Sequence, residues 1–298
     1  MTEITLLDGS IGQEIVKRSG DRPTFLWSTS VMIEKPGIVG NVHSDYFAAG
    51  ATVATTNSYA LHRDRLERVD MLDQFEALIE RSLTEAEAAR TVNGGGRIAG
   101  ALGPLGASYR VDVCPEPDMA AGLFSEIVTM MDHRVDLFVI ETVVSLKHAE
   151  GALRGTAKAS KPIWLAVSVD DDDGTVLRSG EAVADLAEIV NHHAPQAVLV
   201  NCSRPEAIAS ALDIIKGFGR PFGAYANGFT RISEGFLKDA PTVEALQERV
   251  DLDPMAYARF AMGWVDQGAT IVGGCCEVGP AHIAELARQL RTAGHAIV

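Results

Sequence analysis

The sequence predicts an α/β fold, a (β/α)8 barrel of the TIM type in a single domain over residues 1–298, on three observations. Eight short apolar runs alternate with longer amphipathic stretches from one end of the chain to the other. The runs are rich in Val, Ile, Leu and Ala with little apolar–polar alternation, as expected of parallel strands buried on both faces. No Pro-, Gly- or Ser-rich linker divides the chain, and no repeat or low-complexity segment interrupts it. A doubly wound open sheet is the main competitor, weakened by the lack of a GxGxxG turn after the first run.

In order, the predicted strands are 4–9 (ITLLDG), 51–57 (ATVATTN), 97–103 (RIAGALG) and 136–142 (DLFVIET). The second four are 162–169 (PIWLAVSV), 196–202 (QAVLVNC), 221–227 (PFGAYAN) and 269–275 (ATIVGGC). Between them, residues 73–92 place Phe75, Leu78, Ile79 and Leu83 on one helical face opposite a Glu- and Arg-rich side. Residues 179–193 and 279–294 show the same spacing, the second opening with Gly-Pro and closing toward Gly294. Residues 228–252 read as an elaborated loop after the seventh strand, suited to assembly or to closure over substrate.

Composition narrows the class. Apolar residues make up 47% and charged residues 22%, ordinary for a folded enzyme and far from disorder. No stretch is long and apolar enough to cross a bilayer and the N-terminus lacks a signal-peptide pattern, so a cytoplasmic protein with no membrane partner is expected. A net charge of −14 argues against nucleic acid, which needs clustered Lys and Arg, and tolerates a cationic small molecule. Four cysteines in so long a chain make no disulfide framework; they read as buried thiols, ligands or nucleophiles.

In such a barrel the chemistry sits at the C-terminal strand ends. Those ends carry Asp8-Gly9, Asn57-Ser58-Tyr59, Gly103-Pro104, Glu141-Thr142, Asn201-Cys202, Asn227 and Gly274-Cys275-Cys276. Three of the four cysteines, Cys202, Cys275 and Cys276, thus share a face, from strands six and eight. Zn²⁺ prefers thiolates, and a three-sulfur set with an open position suits a catalytic site better than a closed structural one. Gly273-Gly274 would permit the sharp bend that lets both neighbouring sulfurs reach one metal. Cores also hold cysteines for packing, and a vicinal redox pair is a further reading. Cys114 stands in a loop without a partner, and His192-His193 reads as a helix end facing away from the site.

At these residues the chain resembles the homocysteine S-methyltransferase family. The matching segments are LLDGSIGQEI, LWS, HSDYFAAGATVATTNSYA, ALGPLG, FVIET, LVNCS and IVGGCCEVGPAHI, in the family's order over nearly the whole chain. The GGCC element with an upstream NC is the specific part. The resemblance implies a (β/α)8 barrel with Zn²⁺ on Cys202, Cys275 and Cys276, and a homocysteine amino group held by Asp8 and Glu141, with Gly9 beside them. It places Trp27 and Tyr59 against the methyl donor, where aromatic rings suit a sulfonium or quaternary ammonium cation. It places Asn227 where it can approach the zinc when substrate is absent.

The residues make chemical sense of this. A free thiol with a pKa of ~8.5 is mostly protonated at neutral pH, so an acceptor thiol needs a device that makes it a thiolate. A zinc site of three thiolates would take the substrate sulfur deprotonated and leave excess negative charge that attracts a positive donor. Each residue has a plainer alternative: Asp8 as a turn residue, Tyr59 and Trp27 as packing at the barrel mouth, whereas an acid at 141 after four apolar residues needs a reason.

The expected reaction is therefore methyl transfer from a cationic donor to homocysteine, giving methionine. S-methylmethionine or a related sulfonium is favoured as donor because LWS resembles that branch. Alternatives are catabolic demethylation of a betaine-like or sulfonium osmolyte, a non-catalytic zinc- or thiol-binding protein, and a Schiff-base aldolase, which no strand-end lysine supports. A homo-oligomer is compatible with the sequence. The chain departs from the family at Ser10 and Gln13, at Glu277-Val278 after GGCC, and at YANGFT, which leaves the donor the most open point.

Overall fold

The computed structural model describes residues 2–20, 28–232 and 247–298. Eight strands alternate with helices in the expected order. The chain runs β1 (Glu3–Leu6), α1 (Ile11–Ser19), α2 (Ser28–Glu34), α3 (Ile38–Ala49), β2 (Val53–Thr55), α4 (Arg63–Glu67), α5 (Phe75–Asn93) and β3 (Arg97–Leu102). It continues through α6 (Pro117–Met131), β4 (Leu137–Val143), α7 (Leu146–Gly155), β5 (Ile163–Val167), α8 (Leu186–His193) and β6 (Ala197–Asn201). Then come α9 (Pro205–Ile215), β7 (Phe222–Ala226), α10 (Pro254–Asp266), β8 (Ile271–Gly274), α11 (Pro280–Thr292) and β9 (Ala296–Ile297).

All the pairings between these strands are parallel, in the order β2-β3-β4-β5-β6-β7-β8-β1-β9. A single parallel bridge, Leu7 to Val53, with Thr52 N donating to Leu6 O at 2.7 Å, brings β2 back against β1 and closes the ring. The expected barrel is thereby found, and the open-sheet alternative is set aside. β9, unread in the sequence because it is two residues long, pairs with the start of β1 at Glu3 and Ile4.

Two apolar layers hold the barrel. Outside, helices α1, α3, α5–α7 and α9–α11 bury residues such as Ile15, Tyr46, Phe124, Leu212 and Trp264 against the sheet. Inside, Leu7, Val53, Val139, Trp164, Leu199, Tyr225 and Ile271 pack into a smaller plug, and Cys275 sits against it. Because side chains alternate along a strand, each inward residue predicts the next: Val139 leads to Glu141, Tyr225 to Asn227, Ile271 to Gly273 and Cys275. The plug thus hands over to polar groups at the C-terminal ends.

Three local expectations shift. Residues 179–182 are not helical: Ala182 bridges Val176, and α8 begins at Leu186 after a short 3-10 turn. The apolar spacing there reflects a small hairpin and turn packed on the same core. The segment 228–252 lies partly outside the described residues; its described ends pair antiparallel, Phe229 with Glu248. The helix at 73–92 is α5, entered through a 3-10 turn at Leu72–Gln74.

Candidate functional site

Asp8 follows β1 at the closing seam. Its carboxylate accepts from Thr55 N at 2.6 Å and Thr55 Oγ1 at 2.7 Å, tying the first strand end to the second. Burial raises its pKa to about 8, against the pull of those two bonds, and Glu141 adds to the rise. Glu141, on β4, accepts from the Tyr225 hydroxyl at 2.9 Å. It keeps part of its surface open to the cavity yet lies deep in the barrel, and desolvation raises its pKa to about 7. Two acids this poorly solvated favour a cationic visitor.

The three expected cysteines converge. Their sulfurs lie within 4.8 Å of one another, the one such cluster of three metal-binding side chains among the described residues. The sulfurs of Cys202 and Cys275 lie nearest each other, their Cα atoms 5.8 Å apart, and the Cys276 sulfur completes the group. The sequence allowed a redox pair of neighbours; the structure groups both neighbours with a third sulfur that follows β6. A tetrahedral zinc with sulfurs at ~2.3 Å needs them roughly 3.8 Å apart, so the reduced triad fits a metal with little movement. Burial pushes the Cys276 thiol up to about 12, so a cation is what would draw it to the thiolate form. Asn227 Oδ1 nearby is buried with no hydrogen-bond partner, an acceptor that also fits a polar or cationic group at this centre.

Asp8, Gly9, Tyr59, Glu141 and all three cysteines line one cavity of about 120 Å³. Gly9 is required there: a Cβ would collide with the carbonyl oxygen of Val278 in the cysteine turn. The Tyr59 hydroxyl pairs with Ser108 Oγ at 2.9 Å, and burial raises its pKa to about 12. Asn227 is not on the cavity wall; it stands behind, donating from Nδ2 to the Tyr109 hydroxyl at 3.3 Å. Trp27 lies outside the described residues. Cys114 is buried apart from the triad, and His193 pairs with Glu150 at 2.9 Å at the end of α8.

Several residues were missed from sequence. Tyr225 was findable, because it precedes Asn227 by two on the same strand. Tyr109, on the cavity wall, comes from the irregular loop after β3, where no periodicity points inward. Of six non-glycine residues with positive φ among those described, four border the site: Tyr109 (64°), Thr142 (56°), Cys202 (49°) and Glu277 (62°). Such strain gathers where the surroundings dictate a particular geometry.

The departures at Ser10, Gln13 and Glu277 meet in space. Ser10 Oγ donates to Gln13 Oε1 at 2.7 Å, and Gln13 Nε2 donates to Glu277 Oε1 at 2.5 Å. Glu277 N returns to Gln13 Oε1 at 2.6 Å, and Lys17 Nζ closes on Glu277 Oε2 at 2.6 Å. Residues that read as separate oddities form one clasp between α1 and the cysteine turn.

Fold and site together define a class: a parallel barrel with a thiol-rich, metal-competent centre and paired buried acids at its strand ends. A sequence profile described as homocysteine S-methyltransferase matches residues 5–290. The homocysteine S-methyltransferase of Escherichia coli (strain K12) is 30% identical, covering 95% of this chain and 94% of its own. The homocysteine methyltransferase MmuM from Escherichia coli superposes in its metallated form with a TM-score of 0.79, 26% identity and 96% coverage of both chains. Its oxidized form gives 0.81 and 25%, again with 96% coverage of both chains. The chain belongs to the homocysteine S-methyltransferase family, and its reaction places a methyl group on homocysteine.

Proposed function

We propose that Cys202, Cys275 and Cys276, reduced, hold a zinc ion, and that the cavity beside them binds homocysteine and a cationic methyl donor, with methionine as product. The observation that carries this reading is the convergence of three sulfurs on the cavity that Asp8 and Glu141 line. When bound, the metal supplies a Lewis acid that keeps the acceptor sulfur deprotonated.

The chain's own residues do the rest. Asp8 and Glu141 bind the ammonium of homocysteine, and the arriving charge draws both acids to their ionised forms. Thr55 and Tyr225 hold the two carboxylates in place, so the amino acid enters in one orientation. Tyr59 and, from the sequence, Trp27 present aromatic faces suited to a sulfonium, with S-methylmethionine the favoured donor. The donor leaves as a neutral thioether and needs no proton, which agrees with a cavity wall that carries no histidine among the described residues.

The test is zinc stoichiometry with methionine formation from homocysteine across a panel of donors, in wild type and in Cys202→Ala, Cys275→Ala and Cys276→Ala. We expect one zinc per reduced wild-type chain, loss of zinc and activity in each variant, and fastest turnover with a sulfonium. Retention of both zinc and activity in all three variants would remove the cysteines from the mechanism.

A further inference from the structure

We propose that Arg178 is a positioning residue of the cysteine centre: it fixes Cys202 and Tyr109 so that the three sulfurs converge on one cation. The inference rests on the metal centre proposed above. Arg178 lies in the hairpin between β5 and α8, outside the cavity wall. Its guanidinium meets Asp171 Oδ1 at 2.7 Å with both side chains 9% exposed, the most deeply buried ion pair among the described residues. A pair so buried is weak as a source of stability, since desolvation offsets its attraction, and so invites another reason.

Its contacts supply that reason. Nε donates to Ser168 Oγ at 2.8 Å and Nη2 donates to Cys202 O at 3.3 Å. Ser168 Oγ also donates to Cys202 O, at 3.1 Å. The carbonyl of Cys202 is therefore gripped from two sides, in a residue held at φ 49° where side chains are strained. The guanidinium carbon also lies 5.1 Å from the Tyr109 ring centroid. Tyr109 is itself at φ 64°; its hydroxyl accepts from Asn227 Nδ2, and its side chain packs in the cluster that holds Cys202, Cys275 and Cys276. One cation thus touches Cys202, just past β6, directly and reaches Cys276, just past β8, through the Tyr109 ring that packs against it. Asp171 balances its charge, so the pair acts on the centre by holding these groups in place rather than by adding net charge.

The other oxygen of Asp171 accepts from Ile232 N at 2.9 Å, so the same pair pins the chain that leaves β7. A planar fork is needed to make these contacts at once; a lysine ammonium would keep the charge and lose the flat contact with Tyr109.

The experiment measures affinity for cobalt(II) and zinc(II) by chelator competition on the reduced full chain, with the thiolate-to-cobalt absorption band as a readout of geometry. R178K, which keeps an ion pair with Asp171, is expected to weaken cobalt binding at least threefold and to alter the band. D171N/R178M, which removes both charges together, is expected to weaken it at least tenfold while keeping a cooperative melt. Affinity within twofold of wild type and an unchanged band in both variants would overturn the proposal. If the double variant does not fold, R178K alone decides by the same limit. Absence of any metal binding by wild type would overturn the metal centre and this inference together, whereas metal lost in Cys202→Ala but kept in the Arg178 variants sinks this inference alone.

Discussion

Asp8 and Glu141, which we propose bind the ammonium of homocysteine, weaken the fold that carries them. Both folded pKa values, about 8 and about 7, lie above the ordinary carboxyl values of 3.8 and 4.5. The folded state therefore holds protons that the unfolded chain has released, so this contribution to stability is present at acid pH. It is fully present below the unfolded values of 3.8 and 4.5 and is lost progressively as pH rises through the folded values of about 7 and 8. Glu141→Gln, which can still accept from Tyr225, should raise the stability of the free protein at pH 8 by on the order of 3 kcal/mol and change little at pH 4. Thermal melts of the two proteins at the two pH values check this. The same variant should raise the homocysteine KM at least tenfold with zinc retained. L-2-aminobutyrate, which has the amino group but no thiol, should bind wild type with proton release near pH 7. Calorimetry in two buffers of different ionisation enthalpy reads that release, which should shrink but not vanish in Glu141→Gln because Asp8 also ionises; an undiminished release would remove Glu141 as a source of the proton. Glu141 could be picked out in the sequence because an acid ends an apolar run. Tyr109 could not, because an irregular loop gives no period from which to infer direction.

At the scale of elements, the turn after β8 is built by its neighbours more than by its own residues. Ser10 N and the Tyr46 hydroxyl both donate to Val278 O, at 3.0 and 3.1 Å, and Gly228 N donates to Cys276 O at 2.7 Å. Glu277 then locks to α1 through Gln13 and Lys17. Lys17 is half exposed, so its ion pair alone contributes little; the Gln13 bonds are better shielded and fix the left-handed Glu277. We expect Lys17→Met to leave turnover within about threefold. Gln13→Ala, which orphans Glu277 N, should cost ~1–3 kcal/mol of stability and weaken zinc binding. Equal and negligible effects of both substitutions on zinc affinity, read by chelator competition, would show that the clasp does not support the cysteine turn. Sequence reading identified Gln13 and Glu277 as departures but had no means of pairing positions 264 residues apart.

For the molecule as a whole, the cysteine centre joins the ends of β6 and β8 across β7, so an ion there would tie the last three barrel strands together. Metal that binds only the folded chain stabilises it by mass action, about 2.7 kcal/mol at a hundredfold excess over Kd. For a chain of this size that is a rise in Tm on the order of 4 °C. Calorimetric scans of the reduced protein with zinc and with chelator should show the difference, and Cys276→Ala should abolish it. No helix among the described residues is long and apolar enough to cross a membrane.

The sequence by itself determined the eight strands, their parallel barrel and the strand ends on which Asp8, Glu141 and the cysteines stand, because strand burial and periodicity are local patterns. It also carried the family, through the GGCC element and its upstream NC. Only the tertiary structure decided that Tyr225 braces Glu141 and that Asn227 stands behind Tyr109. It alone showed that Arg178 reaches Cys202 and that Glu277 closes on Gln13. Those are contacts between side chains far apart along the chain. Their partners are chosen by the closed curvature of the barrel, which no local pattern records.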